Sequence, residues 1–179
     1  MQESWQSFDL FNPSEEHAML RQTVRDFVVK EVEPQAAKYD RSEQFNLPLM
    51  RKLGELGLLG ITVPEAYGGS AMDGVAAVIA HEEISASDPG YCLAYLAHAM
   101  LCANNLAANC SEVQKKNWLP KLSSGEWIGA MAMSEPAIGT DVMGMQCTAV
   151  KKGDHYLLNG RKMWITNGTV DENGTPCDC

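Results

Sequence analysis

Apolar positions recur at helical spacing through the first two-thirds of the chain, then change to strand-like alternation. Leu20, Val24, Phe27, Val28 and Val32 fall on one helical stripe. Ser14 stands ahead of them as a cap, with Glu15 and Glu16 suited to the positive end of a helix. Pro34 is expected to end or kink that helix. A second helix is predicted over residues 48–56, with Leu49, Met50, Leu53 and Leu56 on one face and Gly57 as its stop. Residues 58–73 look irregular, with a turn at Pro64-Glu65-Ala66-Tyr67-Gly68-Gly69. Asp73 caps a third helix, which runs through Ser85 and carries Val75, Val78 and Ile79. Asp88-Pro89 opens a fourth, running to about Asn109. Its Leu93, Leu96, Met100, Leu101 and Leu106, set among many alanines, imply burial on nearly all sides. Ser111-Glu112 opens a fifth helix limited by Pro120, and Ser123-Ser124-Gly125 closes the helical part.

Beyond Gly125 the period becomes strand-like. Residues 127–133 are one predicted strand. Residues 146–151 and 155–158 flank Gly153-Asp154 as a hairpin. Asn159-Gly160 is a second turn, of the dipeptide preferred in type I′ turns. Residues 161–166 make the next strand. The pattern predicts an α+β chain with segregated halves: a helical domain over 1–125 and the start of a β domain over 126–179. Residues 169–179 are polar, with Asn173-Gly174 and Pro176. So few strands without a cover leave exposed edges, so the β part reads as incomplete.

Composition narrows the partners. With 45% hydrophobic and 21% charged residues in 179, the chain is ordinary for a soluble globular protein. A formal net charge of −9 argues against nucleic acid, which needs a basic face. An anionic small ligand held by backbone N–H groups remains compatible. The six cysteines lack paired spacing and read as reduced thiols. Cys177-Asp178-Cys179 is too short for a structural zinc pair and reads as a loop or strand start. No apolar run approaches the ~20 residues that span a bilayer. Met1-Gln2-Glu3-Ser4-Trp5 carries acid and no Arg, unlike a signal or transit peptide.

Familiar catalytic patterns are missing. His81-Glu82-Glu83-Ile84-Ser85 begins like a zinc-protease helix, but Ser85 stands where the second histidine belongs, so an inter-helix polar patch is the better reading. His98, on an apolar helix, is either a satisfied core histidine or a residue facing a ligand cavity. His17 reads as a first-turn residue and His155 as a strand residue. There is no dinucleotide fingerprint after a strand and no phosphate loop. Ser134 lacks the flanking turn glycines of a nucleophile. Glu65, Glu82, Glu83 and Glu135 read as surface or structural acids.

Two stretches remain. Residues 127–140 and 159–168 each end a predicted strand in small, hydroxyl-bearing or glycine positions. Ser134, Thr140 and Thr166 supply hydroxyls, Gly139 permits close backbone approach, and Met133 and Trp164 offer apolar surface. Such a mixture suits a planar ligand with polar edges.

These stretches carry a resemblance. Met133-Ser134-Glu135-Pro136-Ala137-Ile138-Gly139-Thr140-Asp141 resembles the Ser/Thr-Glu-Pro-x-x-Gly-Ser/Thr-Asp motif of the acyl-CoA dehydrogenases. Asn159-Gly160-Arg161-Lys162-Met163-Trp164-Ile165-Thr166-Asn167-Gly168 resembles that family's Asn-Gly-x-Lys-x-Trp-Ile-Thr-Asn-Gly motif. The turn at residues 64–69 and Leu119-Pro120-Lys121-Leu122-Ser123-Ser124-Gly125-Glu126 match two further signatures in order. Within the family, Glu82-Glu83-Ile84-Ser85, Ala97-His98 and residues 128–136 most resemble the branch acting on isovaleryl-CoA. Enzymes of other short straight or branched acyl-CoA esters are the alternative. An acyl-CoA oxidase on the same fold and a non-catalytic binding or assembly piece are the other classes left open. Ile138 replaces a usual Ala, and Thr140 replaces the commoner Ser.

The resemblance implies an N-terminal helical domain, then the first strands of a middle β-barrel or sandwich domain. The family's C-terminal helical bundle lies outside this chain. It implies FAD as cofactor, oxidation of an acyl-CoA thioester to the 2,3-enoyl-CoA, and electrons passed to an electron-transfer flavoprotein. Met131, Ala132, Met133, Ser134, Glu135, Pro136, Ala137, Ile138, Gly139 and Thr140 would line the flavin, with Thr140 also beside the acyl-CoA. Trp164 would pack on the ring, Ile165 and Thr166 would complete the floor, and Thr166 would donate to flavin N5. The catalytic glutamate belongs to the C-terminal domain, so no residue here takes that role. A homotetramer is implied, in the mitochondrial matrix in a eukaryote and in the cytoplasm in a bacterium.

Overall fold

The computed structural model describes residues 9–170. Helices fill the chain up to Ser124, and a two-stranded antiparallel sheet follows. The N-terminal segment 1–8 and residues 171–179, with the expected features at Asn173-Gly174, Pro176 and the two terminal cysteines, lie outside the described residues.

Helix α1 (Glu15–Phe27) starts where Ser14 Oγ accepts the His17 N–H at 3.3 Å. Val24, Val28 and Val32 on its stripe are buried. Pro34 does not end the helix. A wider π-type turn, Val28–Val32, precedes α2 (Glu33–Ser42), which takes Pro34 into its first turn. The backbone is helical on both sides of Pro34, so the wider turn, in which the Glu33 N–H reaches back to the Val28 carbonyl, stands where the ring and missing N–H of Pro34 interrupt the regular bonding. Asn46 caps α3 (Leu47–Glu55), which buries Leu49, Met50 and Leu53. Leu56, expected on that face, is the C-cap and 42% exposed. Gly57 turns the chain at φ +75°. A Cβ on Gly54 would strike the Ser124 carbonyl, which brings α3 close to the last helix.

Asp73 caps α4 (Gly74–Ser85) through the Ala76 N–H at 2.9 Å. Helix α5 (Pro89–Leu96) continues through a π-type stretch, Ala97–Asn104, into α6 (Asn105–Asn109). The expectation of burial on nearly all sides of this helix is corrected: Leu93 is 55% and Leu101 38% exposed. Its buried face is made by Tyr95, His98 and the small residues Ala94, Ala97, Ala99 and Ala103. Helix α7 (Glu112–Ser124) opens on a capping box of Ser111 and Gln114. Pro120 lies inside it rather than limiting it, and Gly125, at φ +77°, makes the stop.

Glu83 ties α4 to α1. Its carboxylate accepts from Arg21 Nη1 at 2.6 Å and from Arg25 Nε and Nη2 at 2.8 Å. Its side chain is 8% exposed, so it is a structural acid, held ionised below the usual range first by Arg25.

Beyond Gly125 the expected strands form only in part. β1 (Thr148–Lys152) pairs antiparallel with β2 (His155–Asn159), Thr148 opposite Asn159 and Lys152 opposite His155. Every residue of both is exposed. Residues 127–133 and 161–166 join no ladder among the described residues. Asn159 ends β2, and Gly160, at φ +152°, is outside the type I′ range, so that turn is also corrected.

Candidate functional site

The segments at residues 131–140 and 162–168 meet. The Met163 N–H donates to the Ser134 carbonyl at 3.0 Å. Lys162 Nζ reaches the Met133 carbonyl and Glu135 Oε1, each at 2.9 Å, and Met145 Sδ at 3.1 Å. Glu135 also accepts from the N–H groups of Gln146 (2.8 Å) and Cys147 (3.0 Å). The Lys162 ammonium, then these donors, hold its carboxyl down at about 2. With its side chain 5% exposed, Glu135 is spent on holding the loop.

That loop is tight. Glu135 and Ile138 exchange N–H to carbonyl bonds of 2.9 and 3.1 Å, which pushes Pro136 and Ala137 outward. Gly139 and Thr140 are exposed, and a Cβ on Gly139 would meet nothing within 4 Å. Met131 and Ser134 are half-buried, Ala132 and Met133 exposed.

Across from them Trp164 is 83% exposed at φ +61°, a strained backbone for a bulky residue. Ile165 and Thr166 beside it are half-buried. The hydroxyls of Ser134, Thr140 and Thr166 make no hydrogen bond among the described residues. An uncovered indole, an open glycine and three uncommitted hydroxyls suit the face and edges of a flat heteroaromatic ligand. A cleft of about 400 Å³ lies between Ala132, Lys162, Cys147 and the hairpin residues Ala149 and Leu158, and none of the three hydroxyls lines it.

The backbone under this surface is fixed by side chains. The Gly129 N–H donates to His98 Nδ1, and His98 Nε2–H donates to the Leu122 carbonyl, both at 3.0 Å. His98 is fully buried, and burial pushes it down to about 4, so the ring is neutral. Of the two readings of His98, the satisfied core histidine holds. Asn167 donates from Nδ2 to the carbonyls of Ala94 (2.9 Å) and Gly129 (3.1 Å). Sequence reasoning missed the roles of Lys162 and Asn167, since their contacts join distant residues. The one local signal is Asn167-Gly168, a pair tolerant of left-handed backbone.

The other histidines lie elsewhere. His17 bridges Ser14 Oγ (2.7 Å) and Asp73 Oδ1 (3.0 Å), linking two helix starts. His81 donates from Nδ1 to the Ala77 carbonyl at 2.6 Å and lies against the Tyr95 ring, an inter-helix patch.

The sequence matches the family description "Acyl-CoA dehydrogenase, N-terminal domain" over residues 14–126 and "Acyl-CoA dehydrogenase, middle domain" over 130–172. The chain belongs to the acyl-CoA dehydrogenase family, a class of FAD-dependent oxidoreductases. It is 52% identical to isovaleryl-CoA dehydrogenase, mitochondrial, of Pongo abelii, over 87% of this chain and 37% of that protein. Relatives at 41–42% identity include a short-chain specific acyl-CoA dehydrogenase and a glutaryl-CoA dehydrogenase. A solved structure described as the electron transferring flavoprotein of Acidaminococcus fermentans superposes with a TM-score of 0.86 at 36% identity, over 92% of this chain and 43% of that one. Acyl-CoA dehydrogenase complexed with FAD from Bacillus anthracis gives 0.81 at 36% identity, over 95% and 31%. The chain thus spans well under half the length of these relatives.

Proposed function

We propose that these residues form the cofactor-holding part of a flavoprotein that oxidises isovaleryl-CoA to its 2,3-enoyl-CoA and passes electrons to an electron-transfer flavoprotein. The observation that carries the cofactor reading is that the two segments bonded together at Met163 and Ser134 carry three uncommitted hydroxyls, Ser134, Thr140 and Thr166, and the exposed indole of Trp164. Bound FAD would supply hydride acceptance from the acyl β-carbon.

The chain's own residues would bind and orient. Trp164 would cover the ring face, with Ile165 as floor. Residues 131–139 would follow the pyrimidine edge with backbone groups and the Ser134 hydroxyl. Thr166 would donate at N5, and Thr140 would border the acyl-CoA. The Lys162–Glu135 pair would keep both segments in register. Removal of the α-proton is left to the family's C-terminal glutamate. A helical domain ending near Gly125, a homotetramer, and a mitochondrial or bacterial cytoplasmic setting complete the proposal.

The substrate reading rests on the 52% identity to the Pongo abelii protein. Purified complete protein carrying these residues is assayed with isovaleryl-, butyryl- and octanoyl-CoA and an artificial electron acceptor. A kcat/KM highest for isovaleryl-CoA is expected, with a graded preference of about 10–200-fold per methyl group. A higher value for octanoyl-CoA overturns the substrate, and a protein that takes up no FAD overturns the function.

A further inference from the structure

We infer that Asn167 is a positioning residue whose carboxamide fixes the loop of Trp164, Ile165 and Thr166 against helix α5 and so sets where the Thr166 hydroxyl stands. This rests on the FAD reading above.

The loop hangs between two anchors. At one end the Met163 N–H is bound to the Ser134 carbonyl at 3.0 Å. At the other, Asn167 is 6% exposed and gives both bonds of Nδ2 away, at 2.9 Å to Ala94 and 3.1 Å to Gly129. These acceptors lie 73 and 38 residues away in sequence, one in α5 and one in the stretch after α7. Between the anchors, the side chains of Trp164, Ile165 and Thr166 make no hydrogen bond among the described residues. The hydrogen bonds that tie this loop to the rest of the described residues are therefore made at its ends.

The Gly129 end is itself rigid. Its N–H goes to His98 and its carbonyl to Asn167, so two side chains replace a strand neighbour. A Cβ there would lie 2.5 Å from Cys102 Sγ, which shows how closely this backbone seats on the helix. Asn167 also adopts φ +64°, a conformation Asn tolerates better than most residues. An isosteric Asp keeps the shape but turns two donors into acceptors facing two carbonyls. A Gly keeps the backbone conformation and removes the anchor.

The test uses the complete protein with Asn167→Gly and Asn167→Asp. Three readouts are FAD affinity by flavin fluorescence, the absorption band of bound flavin, and hydrogen exchange of the FAD-free protein. Each buried neutral hydrogen bond is worth about 2–10-fold in an equilibrium, so losing two should weaken FAD binding by about tenfold or more. Exchange over residues 163–168 should accelerate and the flavin band shift, while α1–α4 stay protected. Wild-type affinity and exchange in both variants would make Asn167 a space-filler and overturn the inference. Should both variants unfold, the wild-type Asn167 carboxamide decides by NMR. Amide protons shielded from solvent support the anchor; exchange as fast as an exposed Asn overturns it. A wild-type protein that binds no FAD defeats the proposed function, and the exchange data still judge the anchor separately.

Discussion

Lys162 and Glu135 form an ion pair of 2.9 Å that is mostly shut from solvent and joins the loop of residues 131–140 to the segment of residues 162–168. Lys162 also holds the Met133 carbonyl, so its replacement frees two places on one loop. Lys162→Met should leave Glu135 with only two backbone donors and loosen residues 133–140. FAD affinity is expected to fall about tenfold or more, the scale of a charge-assisted hydrogen bond. Equilibrium binding checks this, and an unchanged affinity would deny the pair its bracing role.

The same pair dictates an acid response. The Glu135 carboxyl is depressed in the folded state, so its contribution is present above the ordinary carboxylate range near 4.3 and is lost as pH falls toward about 2. Glu135→Gln should abolish that part of the acid transition, measured as the unfolding midpoint between pH 5 and 3.

His98 acts in a higher window. Its folded pKa of about 4 lies below the unfolded value near 6.5, because burial disfavours the charged ring. Its contribution is therefore full above about 6.5 and is lost as pH falls toward 4. The total is on the order of 3 kcal/mol. Protonation at Nδ1 also removes the acceptor for the Gly129 N–H. Denaturant midpoints at pH 5 and 7.5 should differ clearly in the wild type and much less in His98→Gln.

Glu83 gathers two arginines of α1 onto α4. Glu83→Ala leaves Arg21, 14% exposed at its side chain, without its inner partner. A loss of roughly 2–3 kcal/mol is expected by chemical denaturation. A change below half a kcal/mol would show that the fork is replaced by water at little cost.

Thr166→Val keeps the branched shape and removes the hydroxyl. In the complete protein, FAD reduction by substrate should slow by about tenfold or more with an unchanged melting curve. Wild-type reduction rate and affinity together would make Thr166 a packing residue.

Helix starts were legible in the sequence because their signals are local. Ser14, Asp73, Asp88 and Ser111 each accept a backbone N–H of the first turn, as a cap three residues away must. The face of a helix was less legible. In α5 the small alanines turn inward and Leu93 outward, so the pattern of large apolar residues misled. The strands at residues 127–133 and 161–166 failed for a different reason: a ladder needs a neighbour, and alternation alone cannot supply one. Gly129 shows the substitute, a histidine on one side and an asparagine on the other. The meeting of the two candidate segments was likewise invisible to spacing, since Met163 and Ser134 are joined by one backbone bond across a long loop.

The hairpin of β1 and β2 has a practical consequence. A two-stranded ribbon is marginally stable by itself and offers unpaired edges. This one also displays Val150, Tyr156, Leu157 and Leu158 to solvent. In concentrated solutions of residues 1–179, self-association should start here. The net charge of −9 will oppose it at low salt and lose that influence as salt screens it. Turbidity that rises with ionic strength, and that Leu158→Lys abolishes, would mark this ribbon as the adhesive part of the molecule.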